Sequence, residues 1–466
     1  MKSSKMNIYA GPKAIFLLFI IALLIRTIFL FTYSAKNVYT DAVMYHNYAV
    51  NIAAGNGFTD AIEAPYDLNF FREPGNVYFI ATAYNIASLC GVEIKHIDPE
   101  NDKTGHDRIR NYHPEIYWAR ILFALLEAIS VVFFYKTLKR ITSDANAFII
   151  ALIYAFFYPA FFFVATLMRE SLLTGTLIIL NYYFVSYIFD RKTYQLIIVG
   201  ILLGICILVF QAMVVLSILL VTYLFIYKIQ FSGFIKESLL LAFICIITIS
   251  PWMIKIYNYH SDIRVLKTFG VSLTTEMSGC MTEARMLECC KGMSKSELND
   301  YLSYLYELPS NKQFKYSFDG TFKAQRDSLR STLSKNPNYT FSNRMKFKLL
   351  QYKTAVSYFI CPNYFSGIIS SKLINDAPGV LKIIYIVPYI MLFLMCILGV
   401  FGVFANFKQL LPYISIYWVF LILLLLMPGF GSEGRRFLPM FTLWLPAFVL
   451  QVQSIINKLK STNKTK

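Results

Sequence analysis

An acid and two phenols open the chain's most reactive-looking stretch, Tyr39 to Phe58. Asp41, Tyr45 and Tyr48 are spaced so that a helix would carry all three on one face. Thr40 suits the start of such a helix, and Gly55 or Gly57 its end. A carboxylate held above a tyrosine-lined face, just past a hydrophobic segment, is equipped to take a proton from a nucleophile. The helix dipole also favours an acid in a first turn with no chemistry attached. The reading therefore depends on what else the chain brings to the same side.

Three further groups qualify. Phe71-Arg72-Glu73-Pro74-Gly75 precedes a short apolar segment. Pro74 fits a first helical position, Glu73 the positive end of the dipole, and Arg72 would stand beside that helix start, a natural seat for phosphate. Met168-Arg169-Glu170 opens a later apolar run, where a site role and an interfacial Arg with a dipole-favoured Glu fit equally well. Gly431-Ser-Glu-Gly-Arg-Arg-Phe-Leu-Pro439 places Arg435 and Arg436 beside glycines, a pairing suited to bound phosphate.

The elements that must position these residues are membrane helices. The 466 residues are 57% hydrophobic with a mean hydropathy of +0.52. That is too apolar for a soluble core, so the expected class is an all-α polytopic membrane protein. The net charge of +17 fits cytoplasmic loops and contact with anionic lipid in the bilayer. No basic domain stands apart, which argues for no nucleic-acid partner. The first hydrophobic segment is too long for a cleaved signal and has no small-residue site behind it.

About ten transmembrane helices fit the basic clusters. The spans run roughly 14–33, 118–135, 145–163, 170–189, two halves of 194–227 split near Gln211, 237–255, 379–404, 409–427 and 436–456. Lys136, Lys139, Arg140, Arg191, Lys192, Lys228 and the lysines of the tail then fall on one side, the cytoplasm by the positive-inside rule. Asn76 to Leu89 is too short to span and reads as an interfacial helix within a first outer loop, 34–117. Counting it as a span would move two basic clusters outside. The organisation expected is an N-terminal membrane module (1–255), a small, mainly helical extracytoplasmic domain (256–375) and closing helices (376–466). The multi-pass protein would lie in the cytoplasmic (inner) membrane, with its site outside the cytoplasm.

Two charges fall inside the bilayer. Arg26 and Glu127 lie about 10 and 13 Å from the outer ends of their spans at 1.5 Å per residue. Buried charges at matching depth usually pair, and a structural pair is the first reading. Of the cysteines, Cys280, Cys289, Cys290 and Cys361 fall in the outer domain, where a disulfide can persist. Cys280 can pair with Cys289 or Cys290, or one of that adjacent pair can reach Cys361. None of the cysteines shows metal-ligand spacing.

Taken in order, these motifs resemble the GT-C superfamily of polytopic glycosyltransferases, most of all its protein O-mannosyltransferase and lipid A aminoarabinose transferase branch. The likeness rests on Thr40-Asp41 with Tyr45, Arg72-Glu-Pro74-Gly75, Glu170 heading a span, Pro251-Trp252-Met-Ile-Lys255-Ile-Tyr257, Asn336-Pro337 and Arg436-Phe-Leu-Pro439. It covers nearly the whole chain. Lys255 stands where the family usually has Arg, Ile256 where it has Asn, and Gly75 where many members have a second Pro. The resemblance implies an inverting glycosyltransferase that uses a polyprenyl-phosphate-linked sugar donor and an extracytoplasmic acceptor, which is a lipid, glycan or protein. It implies Asp41 as catalytic base, and Arg72 with Arg435 or Arg436 as donor-phosphate ligands. Tyr45, Glu73 and Glu170 would support the site or bind acceptor. The resemblance fixes no cofactor, and Glu170 leaves room for a divalent metal. The rivals are a ligase or polymerase using a lipid diphosphate, and a transporter or flippase of lipid-linked sugars. A transporter should carry its decisive polar groups at mid-membrane on facing helices; here they cluster in outer loops.

Overall fold

The computed structural model describes residues 11–32, 40–70, 72–98, 113–226, 231–260, 321–343, 394–414, 417–420 and 439–462, with scattered positions between 284 and 301, between 345 and 349, and at 422. Arg435, Arg436, Cys280, Cys289, Cys290 and Cys361 lie outside the described residues. The described secondary structure is all-helical, as expected.

The membrane module is built from α1 (Pro12–Thr32), α4 (Glu115–Leu138), α5 (Asp144–Ala155), α6 (Tyr158–Val164), α7 (Arg169–Asp190), α8 (Thr193–Val209), α9 (Val214–Ile226) and α10 (Phe231–His260). Two more helices, α2 (Thr40–Ala54) and α3 (Pro74–Leu89), form the first loop. Later come α11 (Thr321–Lys335), α12 (Leu394–Ala405), α13 (Phe407–Ile414) and α14 (Phe441–Thr462). α4 packs on α1 and α7, α7 on α8, and α8 on α10, while α2 and α3 pair with each other and α3 rests on α4 and α8. Gly200 and Gly204 permit the α8–α10 contact. A Cβ on Gly200 would come within 2.8 Å of Ile244, and one on Gly204 within 2.6 Å of Thr248. Small residues four apart let two membrane helices approach this closely.

Four helices are long and apolar enough to cross a bilayer: Pro12–Phe31, Glu115–Leu138, Arg169–Asp190 and Phe231–Tyr259. A fifth arises if α12 and α13, bent by 104°, count as one. The protein is therefore a multi-pass membrane protein, and the expectation of about ten spans is not reached among the described residues. The expected spans 379–404, 409–427 and 436–456 lie partly outside the described residues, and the rest of the shortfall has a local cause. Several apolar runs are divided into helices too short to span alone. The third expected span, 145–163, breaks after Ala155 and resumes at Tyr158, ahead of Pro159. The 194–227 run breaks at Phe210, beside the expected Gln211, into α8, a 3₁₀ turn at Gln211–Met213 and α9. The seventh continues through Pro251 to His260, well past the expected 255. Of the outer domain, the described parts are mainly helical. Leu333 of α11 packs on Met286 and Leu287 in a small cluster of its own.

The first-loop helices end as their glycines dictate. Gly55 takes φ +81° and Gly91 φ +80°. After each, the chain turns back in a Schellman arrangement: Asn56 N–H donates to Asn51 O at 2.9 Å, and Val92 N–H to Ala87 O at 3.0 Å. Pro74 is the first residue of α3, behind an extended Glu73. The same helix start is seated on the end of α8: a Cβ on Gly75 would lie 2.7 Å from Val209 Cγ2 and 2.8 Å from Val209 N. Gly75→Val should therefore push α3 off α8 and lower the thermal stability of the detergent-solubilised protein, by about 1–3 kcal/mol as overpacking usually does. An unchanged melting temperature would mean that α3 does not rest there.

Candidate functional site

The loop between α2 and α3 is pinned to α2 before it delivers Arg72. Asn51 Nδ2 donates to the carbonyls of Thr59 and Ala61, both at 2.8 Å, and Asn69 N–H donates to Phe58 O at 2.8 Å. Phe58 and Phe70 stack with ring centres 6.0 Å apart, and Trp252 of α10 meets both edge-on at 4.6 and 5.4 Å. With its backbone and rings so held, the chain turns back toward the start of α2.

There Arg72 Nη2 donates to Asp41 Oδ1 at 2.8 Å and lies 3.1 Å from Met44 Sδ. Its guanidinium sits over the Tyr45 ring, 5.5 Å from the centroid. The Asp41 side chain is 33% exposed and that of Arg72 15%, so the pair is open to an approaching molecule. Tyr45 is buried beneath it. Burial pushes the Tyr45 phenol up to about 12, aided by Glu73 and Asp41 and opposed by Arg169 and Arg72. It stays neutral, a donor and packing surface rather than an acid–base group. Tyr48 is fully buried against Phe58 (ring centres 4.7 Å). The expected tyrosine-lined face is thus half realised: Tyr45 meets the charged pair, and Tyr48 belongs to the core because it is turned one helical step further under the loop.

Glu73 does not cap its helix. Its side chain accepts no bond from the α3 N–H groups, and its carboxylate instead takes a 2.7 Å bond from Arg169 Nη1. The dipole role expected of Glu73 gives way to an ion pair because Arg169 is brought alongside. Asn76 Nδ2 donates to Leu167 O at 3.0 Å, and Leu167 holds φ +58°. A left-handed leucine is an uncommon turn, held here by that bond. It aims Arg169, the first residue of α7, at Glu73. The Arg169 guanidinium also lies 4.4 Å from the centre of the Phe210 ring. Glu170, the next residue, is buried at the same helix start, where its charge acts on Arg169.

The structure therefore joins Asp41, Tyr45, Arg72, Glu73 and Arg169 in one constellation, with Glu170 at its edge. Of these, Arg169 is the one the sequence reading does not name as a site residue. The available signal was that an arginine at a helix start runs against the dipole, so a carboxylate was needed nearby. The Pro251-Trp252 motif, singled out only through resemblance, comes to the same loop: besides the Trp252 contacts, Lys255 Nζ lies 3.3 Å from Tyr78 Oη. At the other end of α7, Arg140 makes a two-pronged bond to Asp190 at 2.9 and 2.8 Å. The Asp41 constellation and the basic cluster thus occupy opposite ends of a 22-residue helix.

Residues 115–254 match the family model described as dolichyl-phosphate-mannose-protein mannosyltransferase. The match spans less than a third of the chain and includes Arg169 and Glu170 but not Asp41 or Arg72. No curated protein matches the sequence. Among solved structures, the apo oligosaccharyltransferase of Archaeoglobus fulgidus is similar over 99% of this chain and 52% of its own, at 12% identity and a TM-score of 0.52. That likeness is one of fold, and the chain spans about half the length of that protein. The same archaeal enzyme, AglB, in complex with an inhibitory peptide and a dolichol-phosphate, is similar over 97% of this chain and 51% of its own, with 12% identity and a TM-score of 0.49. ArnT from Cupriavidus metallidurans, bound to undecaprenyl phosphate, is similar over 94% of this chain and 78% of its own, with 10% identity and a TM-score of 0.41. The resemblance to the GT-C superfamily read from the motifs stands with these matches.

Proposed function

We propose that the protein is an inverting glycosyltransferase that moves a sugar from a polyprenyl-phosphate donor to an acceptor on the outer face of the membrane. The observation that carries this is the open Asp41–Arg72 pair, a base and a phosphate ligand 2.8 Å apart above a neutral Tyr45. In the reaction the acceptor hydroxyl attacks the anomeric carbon from the face opposite the phosphate. The new C–O bond forms as the sugar–phosphate bond breaks. Asp41 takes the hydroxyl proton, and Arg72 meets the charge gathering on the departing phosphate. Before donor arrives, each of the two charges neutralises the other. A donor phosphate competes for Arg72 and frees Asp41 to act as base, so that the base is released when there is something to transfer. Arg435 and Arg436, which precede α14 in the sequence, would complete the phosphate site. Glu73 and Arg169 would hold Arg72 and α7 in register.

The family match to enzymes described by a dolichyl-phosphate sugar supports the donor class. The outer location is supported by the Lys136–Arg140 and Arg191-Lys192 clusters at the far end of α4 and α7 from Asp41.

The test is transfer from a panel of synthetic polyprenyl-phosphate hexoses and pentoses by the purified protein, with donor binding followed by thermal shift. The wild-type protein is expected to turn over one donor. Arg72→Ala is expected to weaken that donor's binding and to lower kcat/KM by about a hundredfold or more, since the phosphate is charged before and during transfer. Arg72→Lys should recover part of the binding but less of the turnover, lacking the planar fork. An Arg72→Ala protein with the wild-type KM and kcat would remove phosphate binding from this residue. Absence of both turnover and thermal shift across the panel would remove the donor class.

A further inference from the structure

A second cluster of ligand-type side chains lies five residues further along α2, away from the Asp41 pair. His46 of α2 and the His113–Glu115 pair at the head of α4 are all buried, and each offers a donor atom within 4.8 Å of the others. His46 Nε2 is 3.8 Å from Glu115 Oε1, and His113 Nδ1 is 2.9 Å from the same oxygen. A fourth donor atom is present, since the Lys95 carbonyl oxygen stands 2.8 Å from His46 Nε2. We propose that His46, His113 and Glu115, with the Lys95 carbonyl, form a site for a zinc-like divalent cation that clamps the first outer loop to the head of α4.

The spacing suits such an ion. Donors bound at about 2.0–2.1 Å around a tetrahedral metal stand about 3.3 Å from one another. Three of the pairs, at 2.8, 2.9 and 3.8 Å, bracket that value, and all three side-chain donors lie within 4.8 Å of one another. Two imidazoles and a carboxylate are a zinc-type donor set. The outer shell is also in place. His46 Nδ1 is 2.6 Å from Tyr84 Oη, so a ring bound through Nε2 would donate its remaining N–H to that phenol. A fixed partner on the second nitrogen is the usual companion of a metal-bound imidazole. The Lys95 carbonyl is held in position by its neighbours. Asn47 donates to Ile97 O at 2.8 Å and accepts from Ile97 N–H at 2.9 Å, and His96 Nε2 is 3.0 Å from Asn51 Oδ1. The Lys95 ammonium turns outward to Glu93 at 2.8 Å, leaving the centre to its carbonyl.

The plainer alternative is a hydrogen-bonded knot of two histidines and a glutamate. That knot satisfies both nitrogens of His46, and Glu115 Oε1 also stands 3.3 Å from the Lys95 N–H. The two readings differ in what stands between His113 Nδ1 and Glu115 Oε1, a proton or a cation, and a metal titration decides between them. A cation here would tie together α2, the 93–98 segment and α4, elements up to 69 residues apart in sequence, and so fix the helix that carries Asp41.

The experiment uses the purified full chain, stripped with EDTA and titrated with zinc or with cobalt. Expected results are about one zinc per chain by elemental analysis and a melting temperature several degrees higher with zinc, since a ligand of the folded state alone stabilises it. Cobalt should give the intense visible bands of a four-coordinate site. Glu115→Gln and His46→Gln should each weaken zinc binding at least about tenfold, while Asp41→Asn should leave it unchanged. The proposal is overturned if the stripped wild-type protein shows neither a zinc-dependent melting shift nor cobalt bands. It is equally overturned if the shift survives Glu115→Gln and is lost in Asp41→Asn, which would place the ion at the other constellation. If the His46 variant does not fold, the wild-type cobalt spectrum still decides. None of these readouts depends on glycosyl transfer, so the site stands or falls apart from the proposed activity.

Discussion

Asp41→Asn is expected to leave the protein folded and to lower transfer from a polyprenyl-phosphate sugar by at least about a hundredfold. An acceptor hydroxyl is a poor nucleophile until its proton is taken, and a positioned base contributes about 10²–10⁴ in rate. The substitution removes that capacity with little else. Asparagine has the same size, and its side-chain oxygen can still accept the bond that Arg72 donates at 2.8 Å. The charge it loses is on the more exposed partner, 33% exposed, where water screens part of the interaction. The melting temperature should therefore move little while kcat falls. The check is kcat and KM on the donor identified from the panel, with thermal unfolding alongside. Wild-type rates in Asp41→Asn would return this residue to a helix-start acid held by an arginine. The base would then have to be sought at Glu73 or Glu170, of which Glu73 is already engaged by Arg169.

The largest stability effect is expected at Arg26 and Glu127. Both side chains are completely buried, with Arg26 Nη2 3.6 Å from Glu127 Oε2. Ser130 and Ser171 each stand 3.4 Å from the carboxylate and help to hold it. Removing one partner of a buried pair typically costs about 3–5 kcal/mol, because the other charge is stranded in a low-dielectric site. Arg26→Leu and Glu127→Leu should each fall in that range. The double variant should recover folded yield and melting temperature better than either single change, a coupling that a double-mutant cycle isolates. Recovery should stop short of wild type. Arg26 Nη1 also donates to the carbonyls of Ala22 (3.1 Å) and Ala155 (3.2 Å), and the second of these is the last residue of α5. Within a bilayer a helix end needs such a donor, since water is absent. Strictly additive losses in the double variant would show that the two charges do not act as a pair.

How much of this was legible varies from residue to residue. The α2 helix could be read in advance, because Thr40, Asp41 and Gly55 are local signals and helix ends are local structures. Pro74 as the first residue of α3 was legible for the same reason. The Arg26–Glu127 pairing was legible because two charges inside a bilayer at one depth have few other partners. The break in the third expected span was not. Asp144 to Val164 reads as one apolar run, and what permits the interruption is a guanidinium from α1 that meets the freed carbonyl of Ala155. Arg169 was visible as a residue yet its role was not, since its partner Glu73 lies 96 positions away.

The sequence by itself therefore determined the class of the molecule, the helices of its first loop and the residue types available for acid–base and phosphate chemistry. Those follow from hydropathy, capping and charge bias, which act over a few residues or along one helix. Only the tertiary structure decided which charges face each other. It set Arg72 against Asp41, turned Glu73 from its own helix start to Arg169, buried Tyr48 in the core while leaving Tyr45 under the open pair, and gathered His46, His113 and Glu115 around one point. The physical reason is common to the three that involve a charge or an imidazole. A charge or an imidazole buried from water must find its complement, and in a folded chain the complement within reach is set by packing, such as Gly75 on Val209 and Asn76 on Leu167, rather than by distance along the sequence.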